Sequence, residues 1–79
     1  MIPRYEQVEL RTARDHEGVV VFDGNVLVAV LARLSADHGD DAGRWSIEFL
    51  PGHEGERLPD PFADLPDAAR WIEGGAGEA

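Results

Sequence analysis

Val19-Val20-Val21-Phe22-Asp23-Gly24-Asn25-Val26-Leu27-Val28-Ala29-Val30 is the stretch that decides the fold. Its first four residues are β-branched or aromatic, side chains that fit a pleated, half-buried surface better than a helix. Asp23-Gly24-Asn25 then interrupts two apolar runs with residues that tolerate positive φ. This is the strongest short hairpin signal that a sequence carries. The return run from Val26 to Leu34 is apolar on both faces at first. It alternates only at its end, where Ala32 and Leu34 oppose Arg33 and Ser35. That pattern suits a central strand. Leu27, Val30, Leu31 and Leu34 also fall at helical spacing, with Asn25 as a possible cap and Gly39 as a stop, so a helix is the competing reading. Three valines within five residues weigh against it, because they lose side-chain freedom in a helix.

On the N-terminal side, Tyr5 to Thr12 has Val8, Leu10 and Thr12 on one side and Glu9 and Arg11 on the other, a period of two that predicts a half-buried strand. Asp15-His16-Glu17-Gly18 reads as the turn into the hairpin. On the C-terminal side, Ala36 to Gly43 is polar and punctuated by glycine, which predicts a hairpin loop longer than the first. Arg44 to Leu50 alternates: Trp45, Ile47 and Phe49 share a face expected in the core, and Arg44, Ser46 and Glu48 share the other.

Pro51-Gly52 ends that strand, and the residues up to Pro61 form an irregular, exposed connection. Asp64 is a suitable N-cap, Pro66 fits a first turn without losing a hydrogen bond, and Asp67 adds a carboxylate at the positive end of the helix dipole. Leu65, Ala68, Ala69 and Ile72 make the expected buried stripe, Gly74-Gly75 ends it, and Phe62 and Trp71 are expected to clamp the helix ends. The fold class expected is α+β: an antiparallel sheet of three to four strands with one C-terminal helix packed on one face. Residues 1–73 are expected to form one small domain and residues 74–79 a flexible tail. The face away from the helix is expected to carry Glu9, Arg11, Arg44, Ser46 and Glu48, leaving function to that face or to the loops.

Composition narrows the chemistry. The chain has 79 residues, and at this size folding hides only about 60% of the unfolded chain's surface, so a large pocket is not expected. It has no cysteine, which removes disulfides and thiolate chemistry and is compatible with a reducing compartment. The first residues lack the apolar stretch of a signal peptide, and the longest apolar run, Val26 to Ala32, falls short of the roughly 20 residues that span a bilayer. The expected location is the cytoplasm of a bacterial host cell, with no membrane contact.

No catalytic constellation is visible. His16, His38 and His53 sit in polar loops beside carboxylates with no ligand spacing between any pair, and His53-Glu54-Gly55-Glu56-Arg57 lacks the second histidine of a zinc helix. Counting a calcium loop from Asp37 places Gly39 where a ligand is needed and Ala42 where the turn glycine is needed. Ser35 and Ser46 lie in no nucleophile elbow, and Gly74-Gly75-Ala76-Gly77 follows a helix instead of opening one. The expectation is a non-enzymatic protein without cofactor or metal.

Charge is what remains. Sixteen acidic residues face seven arginines, and residues 35–79 hold eleven of the acids against three arginines. Three strands followed by a helix is also the plan of the plant AP2 domain and of integrase arm-binding domains, but phosphate contacts need a basic stripe, and this chain has no lysine. Direct DNA binding is therefore not expected. The same surface can imitate DNA, with carboxylates in place of phosphates in a cationic channel.

The short acidic, cysteine-free chain and its ending, Phe62-Ala63-Asp64-Leu65-Pro66-Asp67-Ala68-Ala69-Arg70-Trp71-Ile72-Glu73, resemble small phage-encoded anti-CRISPR proteins, in particular those acting on type I-C complexes. The resemblance is one of overall profile and carries over no functional residues. It implies an inhibitor without cofactor or turnover that binds the cationic DNA path of a CRISPR surveillance complex and blocks capture of target DNA. The expected partner is thus a basic nucleic-acid-handling complex. The expected partner-binding residues are Asp37, Asp40 and Asp41 on one loop with Glu48 on the strand after it, which are expected to present charge outward together. Glu54, Glu56, Asp60, Asp64 and Asp67 form the rival cluster. The alternative function is an antitoxin-like or accessory interaction domain that uses its open sheet face.

Overall fold

The computed structural model describes residues 2–11 and 14–74. Strands β1 (Pro3–Glu9), β2 (Glu17–Asp23), β3 (Val26–Arg33) and β4 (Trp45–Phe49) precede one helix, α1 (Leu65–Glu73). The strands form a four-stranded antiparallel meander in the order β1-β2-β3-β4, which gives an α+β fold.

The central hairpin forms where the sequence places it. Asp23 pairs with Val26, so Gly24 and Asn25 make a two-residue turn. Gly24 has φ 63° and, among the described residues, none other than glycine has positive φ, the pattern of a type II′ turn with glycine first. Residues 26–33 are strand, so tertiary pairing settles the strand-or-helix choice. The segment expected as a plain loop folds into two short 3-10 turns over Ala36–Asp41, hinged at Gly39, where φ is 60°. It is bracketed by Gly43 N–H to Leu34 O and Leu34 N–H to Arg44 O bonds, both 2.8 Å. β1 starts earlier and ends sooner than the sequence pattern suggests, β2 already begins at Glu17, and Thr12 and residues 75–79 of the expected tail lie outside the described residues.

Cross-strand partners share a face, so the register assigns every strand side chain. Gln7–Val19–Leu31–Ile47 and Tyr5–Val21–Ala29 form rows on one face. Helix α1 packs Ala68 and Ile72, both buried, into this core. Leu65 and Trp71 flank it, and Phe62 meets Trp71 with ring centroids 6.0 Å apart. Asp64 caps the helix by accepting the N–H of Asp67 at 2.9 Å. Phe62 exchanges both backbone hydrogen bonds with Trp45, at 2.7 and 2.8 Å, which ties the irregular connection to the outer edge of β4. The Tyr5 hydroxyl donates to Glu73 at 2.6 Å and ties β1 to the helix end. Partial burial first, then that hydrogen bond and the charge of Glu73, push the phenol pKa upward.

Two expectations about faces are overturned. In β4, Ile47 pairs with Leu31 but Phe49 pairs with Val30, so Glu48 is an extra residue in a two-against-one bulge. The bulge turns Phe49 out of the core, where 46% of it is exposed, and brings in Leu50, which is 6% exposed. In β1, Tyr5 and Gln7 face the helix side and Val8 faces away, the reverse of the half-buried reading of 5–12. A similar bulge at Val28 in β3 lets Val28 and Ala29 both pack toward the core.

Candidate functional site

Asp37, Asp40 and Asp41 lie on the 3-10 segment, and all three are exposed. The segment is held from below by Asp15, whose carboxylate accepts the Ser35 N–H at 2.8 Å and meets His38 Nε2 at 3.1 Å. The Ser35 amide is the main cause that holds the Asp15 carboxyl below its usual range, against partial desolvation, and His38 contributes further. Two of the three loop acids sit beside arginines: Arg14 is 4.0 Å from Asp37 and Arg44 is 3.6 Å from Asp41. These are exposed pairs at the loose end of ion-pair distance, and water screens them strongly.

Glu48 does not join that group. It lies three residues along β4 from Trp45, about 10 Å at strand rise, and lines a separate shallow cleft with His53, Glu54 and Glu56. There His53 Nδ1 meets Glu56 at 2.9 Å, and the Glu54 carboxylate accepts the Gly52 N–H at 2.8 Å. The fold therefore divides the expected set of four into a loop group and a cleft group, and the cleft group includes part of the rival cluster. Of the other rival members, Asp64 is engaged as the helix cap and Asp67 pairs with Arg70.

The sheet face opposite the helix is not the polar surface expected from Glu9, Arg11, Arg44, Ser46 and Glu48. By register it carries Arg4, Glu6 and Val8 from β1 and Val20, Phe22, Leu27, Val30 and Phe49 from the other strands, with Ala32 and Ser46 at one end. Arg4 lies over the Phe22 ring at 4.6 Å and is paired with Glu6 at 3.2 Å. A Cβ built on Gly18 would come within 2.7 Å of Leu10, so the small residue lets Leu10 lie against this face. The signal that sequence reasoning missed is Phe49-Leu50, two adjacent large apolar residues at a strand end, which strict alternation cannot place on one face.

Among the described residues, no group of three histidine, aspartate or glutamate side chains is placed to hold a metal ion, and no helix is long and apolar enough to cross a membrane. No protein-family model matches the chain, and neither a curated protein nor a solved structure matches it.

Proposed function

We propose that this chain is a non-enzymatic acidic inhibitor that occupies the cationic DNA path of a basic nucleic-acid-handling complex, namely a CRISPR surveillance complex of the type I-C class on which the anti-CRISPR proteins that its sequence profile resembles act. The observation that carries this reading is the charge: a net −9 on 79 residues, with loop and cleft carboxylates at the surface. Five of the seven arginines are already engaged by acids of the same chain, which leaves little positive surface for phosphate. Such a field raises encounter rates with a cationic partner and repels nucleic acid.

The test is competition for duplex target DNA with a purified type I-C surveillance complex, across a salt series. The protein blocks DNA capture, shifts no duplex by itself at moderate salt, and loses inhibition as salt rises. Asp37→Asn/Asp40→Asn/Asp41→Asn and Glu48→Gln/Glu54→Gln/Glu56→Gln, assayed separately, report which acidic group binds. Charge-assisted bonds contribute about 1.5 to 3 kcal/mol each, so losing two weakens inhibition by roughly a hundredfold or more. Duplex DNA shifted by the isolated protein, or full inhibition by both triple variants, would reject the proposal. A second reading, an accessory domain that docks through its open sheet face, draws on the apolar side chains there and calls for binding that salt does not weaken.

A further inference from the structure

We infer that the open sheet face is a self-association surface covered by a second copy of this chain, sheet packed on sheet. The centre of the face is Val20, Phe22, Leu27, Val30 and Phe49, contributed by three adjacent strands. Phe49, at 46% exposed, is an aromatic side chain that the β4 bulge holds outward, although the neighbouring Leu50 is buried. Bulges commonly re-aim a side chain in this way.

Charge indicates the occupant. Of the acids on this face and its margin, Glu6 is paired with Arg4, and Glu48, Glu54 and Glu56 line the cleft beside Phe49 at the β4 edge. Asp37, Asp40 and Asp41 lie on the segment beyond the sheet end, and Asp64, Asp67 and Glu73 lie at or on the helix, across the sheet. A basic partner chosen by charge is steered to those acids. At the centre of the face Arg4 offsets Glu6, so this is where another body of net charge −9 can approach at least electrostatic cost.

The size of the face also fits a reversible dimer. Four strands about 4.8 Å apart and seven, seven, eight and five residues long give roughly 430 Å² of projected sheet per copy. Allowing for side-chain relief, two copies bury on the order of 1,000 Å², the lower limit for a specific interface and the range of weak association. A twofold arrangement matches the patch to itself, and facing sheets then enclose a second core about 10 Å thick. The association is hydrophobic between like-charged bodies, so added salt strengthens it, which is the reverse of the salt response of acidic inhibition.

Sedimentation equilibrium of the purified chain tests this. The weight-average mass should rise from 8.6 kDa toward twice that value with concentration, and the rise should be larger in high salt. The useful concentrations lie between about 10 μM and 1 mM, where an interface of this size dissociates. Phe49→Asp should hold the chain monomeric while its circular dichroism melt stays cooperative. Should Phe49→Asp fail to fold, the near-isosteric pair Val20→Thr/Val30→Thr, which keeps the β-branched shape, should weaken dimerisation at least tenfold. A monomer throughout the concentration range in high salt, or a dimer indifferent to the folded face variants, overturns the inference and leaves the face to an unlike partner or to solvent.

Discussion

Replacing Phe49 and Leu50 one at a time by alanine tests the bulge directly, because strict alternation and the observed register assign the larger loss to opposite residues. Leu50 is 6% exposed and belongs to the core cluster with Ile47, Trp45 and Ile72, so Leu50→Ala removes a packed side chain and leaves a cavity. Such truncations cost about 2 to 5 kcal/mol. Phe49 is 46% exposed, so alanine there forfeits about half of the roughly 1.5 to 3 kcal/mol that full burial of a phenylalanine supplies, near 1 kcal/mol. A domain of 79 residues has a total stability of about 4 to 12 kcal/mol, so the first variant consumes a large fraction of it and the second does not. Urea unfolding followed by tryptophan fluorescence at about 5 μM, below the range of self-association, measures both values with midpoint and slope fitted together. Excision of Glu48 is the companion experiment. It removes the extra residue of the bulge yet leaves Phe49 across from Val30 and Leu50 inward, so a cooperative fold should survive. A cost for Phe49→Ala equal to or above that for Leu50→Ala would refute the register and return Phe49 to the core.

Gly18→Ala should destabilise the sheet by about 1 to 3 kcal/mol in the same assay, because the added methyl meets Leu10 at 2.7 Å and the Leu31 carbonyl at 3.0 Å; an unchanged midpoint would show that Leu10 yields freely. Asp15 has a folded pKa below its unfolded value, so its contribution is fully present above the ordinary carboxylate range and is lost as pH falls through the lowered value. Asp15→Asn should therefore melt earlier than wild type at neutral pH, and the two melting curves should converge on acidification below the usual aspartate pKa of 3.8. A difference that persists undiminished into strong acid would mean that the Ser35 amide does not depend on the Asp15 charge.

Local chemistry sufficed for the elements that rest on neighbours in the chain. The Gly24-Asn25 turn follows from the positive φ that glycine accepts, and the helix start follows from Asp64 reaching the N–H of Asp67 three residues on. The acidic excess of residues 35–79 is likewise a property of composition that no folding could alter. The faces of the sheet were a different matter. A period of two states which side chains share a side only while pairing is regular, and one extra residue at Glu48 exchanges the places of Phe49 and Leu50. The same limit hid the apolar open face: Val8 alternates with polar neighbours and reads as core, yet pairing with β2 and docking of Tyr5 against α1 set β1 the other way round. Glu48 parted from Asp37, Asp40 and Asp41 for a related reason. Closeness in sequence places all four near one hairpin, whereas about 10 Å of extended strand and the Pro51-Gly52 turn carry Glu48 to the cleft of Glu54 and Glu56. Charge and turn positions are local quantities and are written in the chain; side and neighbourhood depend on pairing between distant strands, and only the folded sheet decides them.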